Sequence, residues 1–280
     1  MWDVAEGGVG QNDYICRKFD TDMTIHLVYF SATYTTRSVL RGIAGHWAGA
    51  VVEHDITAQA PAVPVQLGDD DLLLFGAPVY CGRIPEEAAL RLRSFRGAGT
   101  RAVAVAVYGN RHYDEALAEM QDLLSGQGFR LVAAAAFIGR HCIFPEVASG
   151  RPDAADAERM AAFAEACRPV LEAPAGALGD VKVPGSGELP PYKRVPFCPM
   201  PTDECTQCGQ CAELCPVGAI SAEDVTKVDA SRCIACGRCV VVCPVGGRRF
   251  GGEAYAAASA HFVAAFSARR EPEWFVATLK

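Results

Sequence analysis

Cys205-Thr-Gln-Cys208-Gly-Gln-Cys211-Ala-Glu-Leu-Cys215-Pro216 returns 28 residues later as Cys233-Ile-Ala-Cys236-Gly-Arg-Cys239-Val-Val-Val-Cys243-Pro244. Both stretches read C-x2-C-x2-C-x3-C-P, an internal repeat built on thiols. The chain holds 13 cysteines, and eight of them fall in these two runs. A disulfide framework belongs to small secreted domains, and a chain of 280 residues is not one, so the runs read as ligation in a reducing compartment. Zinc is the competing reading. It closes with four ligands, typically two separated C-x-x-C pairs, and two runs of four cysteines each ending in proline do not divide that way.

The spacing is similar to that of bacterial two-cluster ferredoxins. Three closely spaced thiolates wrap one face of a cubane, and the fourth, carried away by the proline-turned chain, reaches the other cluster. The reading therefore predicts one [4Fe–4S] cluster on Cys205, Cys208, Cys211 and Cys243, and a second on Cys233, Cys236, Cys239 and Cys215. Gly209 and Gly237 let backbone amides approach the sulfides. Cys16, Cys81, Cys142, Cys167 and Cys198 have no partner spacing. Cys167 lies on an apolar helix face and reads as core, and Cys198 reads as a spare neighbour of the first run.

Composition bounds the rest. Half the residues are apolar and 21% are charged, as in a folded globular chain. The net charge of −7 speaks against a nucleic-acid binder. No apolar run approaches the ~20 residues that span a bilayer. Met1-Trp2-Asp3 lacks the basic and apolar regions of a secretory signal, so the expectation is a cytoplasmic protein with no membrane contact.

Residues 1–22 show no periodicity and read as a flexible leader. From 23 to 173 strand-like and helix-like segments alternate. Ile25–Phe30, Val51–Ile56, Leu72–Phe75, Ala102–Val107 and Leu131–Ile138 read as strands, Val51–Ile56 the weakest. Helical faces carry Val39, Leu40 and Ile43, then Ala88 and Leu92, then Leu117 and Met120, then Met160, Phe163 and Cys167. Thr57–Gly68 lacks a helical pattern, so the second crossover helix is expected to be short or absent. Five strands alternating with helices imply an α/β fold, a doubly wound parallel sheet covered on both faces. Seven of the 17 prolines lie from Pro174 to Pro201, marking 174–201 as a linker. A small α+β cysteine-rich domain is expected over 202–250, and 251–280 reads as a final helix bearing Tyr255, Phe262, Val263 and Phe266.

In such a sheet, ligands bind beyond the carboxyl ends of the strands, at the switch point of strand order. Three unusual segments fall there. Ser31-Ala-Thr33-Tyr34-Thr35-Thr36 sets four hydroxyls before a helix N-terminus, where free amides and the helix dipole favour a phosphate. Gly76-Ala-Pro78-Val79-Tyr80-Cys81-Gly82-Arg83-Ile84-Pro85 follows the third strand, and Tyr108-Gly109-Asn110-Arg111-His112-Tyr113 follows the fourth. Each alone also reads as an N-cap or a packed loop. Together, at the ends of adjacent strands, they suit a planar ring with a phosphate tail.

The first loop resembles the flavodoxin phosphate loop. The Pro-Val-Tyr-x-Gly-Arg-Ile-Pro and Tyr-Gly-Asn-Arg segments resemble those of the EFR1-type proteins, in which a flavodoxin-like domain is fused to a two-cluster ferredoxin. The resemblance runs from about residue 24 to the C-terminus, including Arg270-Glu271-Pro272-Glu273. It implies noncovalent FMN, with Ser31, Thr33, Tyr34, Thr35 and Thr36 around the phosphate. Pro78, Val79, Tyr80 and Gly82 would line one side of the isoalloxazine, and Gly109, Asn110, Arg111 and Tyr113 the other. Tyr34 departs from the pattern, which has glycine there. If the loop needs φ > 0, tyrosine costs roughly 1–2 kcal/mol, and its ring would narrow the phosphate site. Cys81 reads as a small-volume substitution, His112 equally as a ligand donor or an exposed loop residue, and His141 as structural.

The expected function is that of an iron–sulfur flavoprotein, an oxidoreductase-type electron carrier with a redox partner protein or small acceptor. A second reading makes it a flavin-free ferredoxin whose αβ domain docks a partner; a third, a reductase with its own organic substrate. No G-x-G-x-x-G follows a strand, so direct use of a nicotinamide is disfavoured.

Overall fold

The structure is a computed structural model that describes residues 23–280. The leader expected over 1–22 lies outside the described residues. Five strands, β1 (Thr24–Tyr29), β2 (Ala50–Asp55), β3 (Asp71–Pro78), β4 (Arg101–Tyr108) and β5 (Arg130–Ile138), form a parallel sheet in the order β2-β1-β3-β4-β5. This is the flavodoxin-like doubly wound order.

The central strands are buried on both faces, so their sequences run apolar without alternating. Alternate side chains nevertheless go to separate cores. Leu72, Leu74, Val103 and Val105 face a layer made by α1 (Thr35–Ala44) and α4 (Ala154–Glu172). Leu73, Phe75, Ala104 and Ala106 face α2 (Glu86–Leu92) and α3 (Ala116–Gly126). β2 is the outer edge, with Val51 and Val52 exposed, which accounts for its weak apolar pattern. No helix is found between β2 and β3 among the described residues, as the composition of Thr57–Gly68 led us to expect.

The sheet has a sixth strand that the sequence reading did not supply. The last helix, α7 (Glu253–Phe266), does not run to residue 280. It is followed by β6 (Glu273–Val276), which pairs antiparallel with Ala133–Ala136 of β5. This covers what would otherwise be the open edge of β5. Between the linker and α7 lies the cysteine-rich module. Its two short helices, α5 (Gln210–Glu213) and α6 (Arg238–Val241), each follow a glycine with positive φ, and Met200–Pro201 pairs with Arg248–Arg249. No helix among the described residues is long and apolar enough to cross a membrane.

Candidate functional site

The loops after β1, β3, β4 and β5 converge on one cavity at the carboxyl ends of the strands. Its walls include Thr33, Thr35 and Thr36 from the first loop, Pro78, Val79, Tyr80 and Gly82 from the second, and Gly109 and Arg111 from the third. Four non-glycine residues in and around these loops hold positive φ: Tyr34 (65°), Cys81 (53°), Asn110 (64°) and Asp114 (40°). Backbone strain of this kind costs of order 1–3 kcal/mol per residue and gathers at sites where function fixes the chain.

Four of the expected contacts are used differently. Ser31 Oγ accepts the Arg37 amide at 3.0 Å, and its own amide donates to Thr57 Oγ1 at 2.8 Å, so Ser31 braces the loop from behind. Tyr34 is left-handed, as the pattern demanded of a glycine, but its ring does not narrow the cavity. It lies between two guanidinium groups, Arg37 at 4.8 Å and Arg238 at 4.7 Å from its centroid. Asn110 Nδ2 donates to the carbonyls of Phe266 and Ala268, at 2.6 and 2.8 Å, and so holds the end of α7. The Tyr113 hydroxyl donates to Glu273 Oε2 at 3.1 Å, and burial and that carboxylate push its pKa up.

The sequence reading missed a further wall. Beyond β5, Arg140, His141, Cys142, Ile143 and Phe144 complete the cavity, with Lys193 and Val195 from the linker and Phe262 from α7. The position of His141-Cys142 just past a strand end was the available signal. The linker and α7 arrive by tertiary packing and left none. His141 Nδ1 accepts the amides of Ile143 and Phe144 at 3.2 and 3.0 Å, which places its proton on Nε2. Burial, reinforced by the charge of Arg111, lowers its pKa to about 4, so it is a neutral donor at neutral pH. Burial likewise pushes the Cys142 thiol up to about 12, and Tyr80 stays a phenol for the same reason.

The cysteine module forms the rest of the cavity. Ile234 and Ala235, inside the second run, line it. Cys142 Sγ faces the Ala235 carbonyl at 3.8 Å, and Cys236 is buried in the core beside α2 and α3. Gly237 is left-handed at φ 74°, and a Cβ there would sit tightly, 3.2 Å from the Cys142 carbonyl, so glycine suits both the backbone and the close approach of the two domains. Arg238 Nη1 donates to Ala32 O, Arg91 Nη2 to Pro216 O at 2.6 Å, and Tyr255 Oη to Ile143 O at 2.8 Å.

Within the module the eight thiols sort into two sets. Cys205, Cys208, Cys211 and Cys243 surround one small cavity, and Cys215, Cys233, Cys236 and Cys239 surround another. The first set includes the exposed Cys208; the second includes two buried thiols, Cys236 in the core of the αβ domain and Cys239 packed within the module against Ile220 and Val225. Among the described residues no three His, Cys, Asp or Glu side chains converge as for a single metal ion. The donor set fits a larger anionic group. Backbone amides point at the sulfurs in matching places: Ala219 to Cys215 at 3.3 Å and Gly247 to Cys243 at 3.2 Å. Guanidinium nitrogens of Arg238 and Arg248, which line the two cavities, are buried without a protein partner. Cys198, near the first run in sequence, is placed against Cys233 of the second.

Residues 204–247 match the family described as 4Fe-4S dicluster domain. No curated protein matches the chain. Among solved structures, rubredoxin oxygen:oxidoreductase from Desulfovibrio gigas is similar over 55% of this chain, with 16% identity and a TM-score of 0.37; the match spans 38% of that protein. Oxidised flavodoxin 1 from Bacillus cereus is similar over 54% of this chain and 99% of its own, with 15% identity and a TM-score of 0.40. The flavodoxin of Streptococcus pneumonia TIGR4 covers 52% and 99%, with 16% identity and a TM-score of 0.39.

Proposed function

We propose that this chain is an iron–sulfur flavoprotein of the EFR1 type that moves electrons between a flavin site and a redox partner or small acceptor. In this reading Cys205, Cys208, Cys211 and Cys243 hold one [4Fe–4S] cluster, Cys215, Cys233, Cys236 and Cys239 hold the other, and FMN occupies the cavity. FMN supplies a carrier that accepts electrons singly or in pairs, and each cluster supplies a one-electron site. The observation that carries the reading is the shared wall: Ile234 and Ala235 of the second cysteine run line the cavity at the strand ends.

The chain's own residues would do the following. The hydroxyls of Thr33, Thr35 and Thr36 and the N-terminus of α1 would receive the phosphate, with the charges of Arg37 and Arg238 nearby. Pro78, Val79 and Tyr80 would flank the ring system, and Gly109, where a Cβ would collide with the His141 ring, lets His141 pack into the wall. His141, held neutral, offers a hydrogen-bond donor that does not gain a proton near neutral pH. Phe144 and Phe262, in contact with each other, would give the ring system an apolar wall.

Anaerobic purification with flavin and iron quantified per chain tests this. About one FMN with about eight irons is expected. Iron without flavin, even after incubation with excess FMN, would instead make the αβ domain a docking module.

A further inference from the structure

The internal repeat does not stop at the fourth cysteine of each run. Cys215-Pro-Val-Gly-Ala219-Ile220 aligns, at the same offset of 28 residues, with Cys243-Pro-Val-Gly-Gly247-Arg248. The backbones behave alike. Gln207 and Ala235 hold φ of 56° and 51°, Gly209 and Gly237 of 82° and 74°, and Gly218 and Gly246 of 57° and 65°. At the last aligned position the side chains diverge. Ile220 packs with Val225 and Cys239 and lines the cavity of the second thiol set. Arg248 is 2% exposed and lines the cavity of the first.

One half of the repeat therefore holds an apolar side chain where the other buries a full charge. A buried guanidinium needs a compensating anion or its desolvation is very costly. Among the described residues no carboxylate is paired with Arg248. Its protein contacts are the Cys211 sulfur at 3.4 Å and the Val225 carbonyl at 3.0 Å, both through Nη1, while Nε and Nη2 are buried with no protein partner. A cubane with four thiolates is a net anion and gains one more negative charge on reduction. A fixed cation beside it favours the reduced form. The second cavity also has an arginine, Arg238, whose Nε is buried without a protein partner, but its Nη1 donates to the Ala32 carbonyl and its Cζ lies 4.7 Å from the Tyr34 ring centroid, so its charge is shared with the αβ domain, whereas Arg248 donates to a cysteine sulfur of its own set.

We propose that Arg248 tunes the first cluster to a higher potential than the second. An electron arriving at the second site, against the flavin cavity, then comes to rest on the first, beside exposed Cys208. The step is a single electron transfer: the second cluster is oxidised, the first is reduced, and no bond or proton moves. The inference rests on reading both thiol sets as [4Fe–4S] sites.

The test is an anaerobic redox titration of the iron-loaded full chain, followed by EPR. Paramagnetic NMR of the half-reduced wild type, with the cysteine β-protons assigned, locates the first electron. It is expected on the Cys205, Cys208, Cys211 and Cys243 set; finding it on the other set overturns the proposal without any variant. Arg248→Ile makes the two halves alike, and the equilibrium constant for sharing one electron is expected to move toward unity by about tenfold or more. Arg248→Lys keeps the charge and is expected to retain most of the difference. Arg248→Gln keeps a donor without the charge and should behave as Arg248→Ile, so it serves if that variant loads iron poorly. Unchanged separation in a variant lacking the charge but carrying full iron would overturn the proposal. A wild-type chain with far fewer than about eight irons would overturn the cluster reading itself, before any potential is measured.

Discussion

Arg238 Nη1 donates to the carbonyl of Ala32 across 3.3 Å, so a residue inside the second cysteine run closes directly on the loop after β1. The same guanidinium covers one face of Tyr34. Replacing it with methionine removes the donor and the charge beside the loop after β1. If the cavity holds FMN as proposed, the FMN affinity of Arg238→Met is expected to fall about tenfold, with Arg238→Lys intermediate, as read by flavin fluorescence on titration of the iron-loaded protein. An affinity unchanged by Arg238→Met would remove Arg238 from the flavin site.

Tyr34 carries two opposing effects that two variants separate. Its left-handed backbone costs about 1–2 kcal/mol, and its stacking between Arg37 and Arg238 returns roughly 0.5–1 kcal/mol for each cation. Tyr34→Ala keeps most of the strain and loses the stacking, so it is expected to lower stability by about 1–2 kcal/mol. Tyr34→Gly relieves the strain as well and should melt within a few degrees of wild type, above Tyr34→Ala. Thermal melts of the iron-loaded proteins decide the order.

The segment joining α7 to β6 is held at a buried ion pair. Arg151 Nε lies 2.7 Å from Asp156 Oδ2, and Nη2 bonds Oδ1; the aspartate is fully buried. Arg151 Nη1 also donates to the Arg270 carbonyl at 2.7 Å. Arg151→Met leaves the buried Asp156 with only the Asp153 amide at 2.8 Å and the more distant Arg269 guanidinium at 3.9 Å, and is expected to cost about 3 kcal/mol. The double variant Arg151→Met with Asp156→Leu should recover much of that loss. Denaturant unfolding of the four proteins forms the cycle.

His141 gives the αβ domain a pH dependence with a definite sign. Its folded pKa, lowered to about 4 by burial, lies below the ~6.5 of an unfolded histidine. The unfolded chain therefore binds the proton first as pH falls. Stability from this group is fully present above about 6.5, declines as pH drops from there, and levels off below about 4. The total is on the order of 3 kcal/mol. In His141→Gln the midpoint of unfolding should vary less between pH 7 and pH 4.5 than in wild type. Parallel curves would contradict it.

The parallel strands were legible because burial on both faces makes each a continuous apolar run, as in Leu72–Phe75 and Leu131–Ile138. β6 was not. Glu273-Trp-Phe-Val276 is four residues long, follows a charged stretch, and becomes a strand only by pairing with Ala133–Ala136 far back in the chain. The thiol sets were readable because ligand spacing is local. The three strand-end loops were readable as a group, yet their polar residues divide between tasks that composition does not distinguish. Asn110 and Tyr113 bind the C-terminal segment, whereas Gly109 and Arg111 face the cavity. Lys193, Val195 and Phe262 reach the site only through packing of distant segments, for which no local pattern exists.

Because β6 follows the cysteine module in the chain and yet belongs to the sheet that precedes it, the module is topologically an insertion between two strands of one sheet. It has two straps. One cut through the linker would leave it still joined through α7 and β6, and trimming the last eight residues would strip the edge of the αβ sheet while leaving every thiol in place. A module on a single tether searches for its docking face through a large volume, and the transfer rate then follows solvent viscosity and tether length. Held at both ends, and pinned by Asn110 and Arg238 between them, this one has no such search to make. On the proposed function, the gap an electron would cross is then a property of the fold rather than of an encounter.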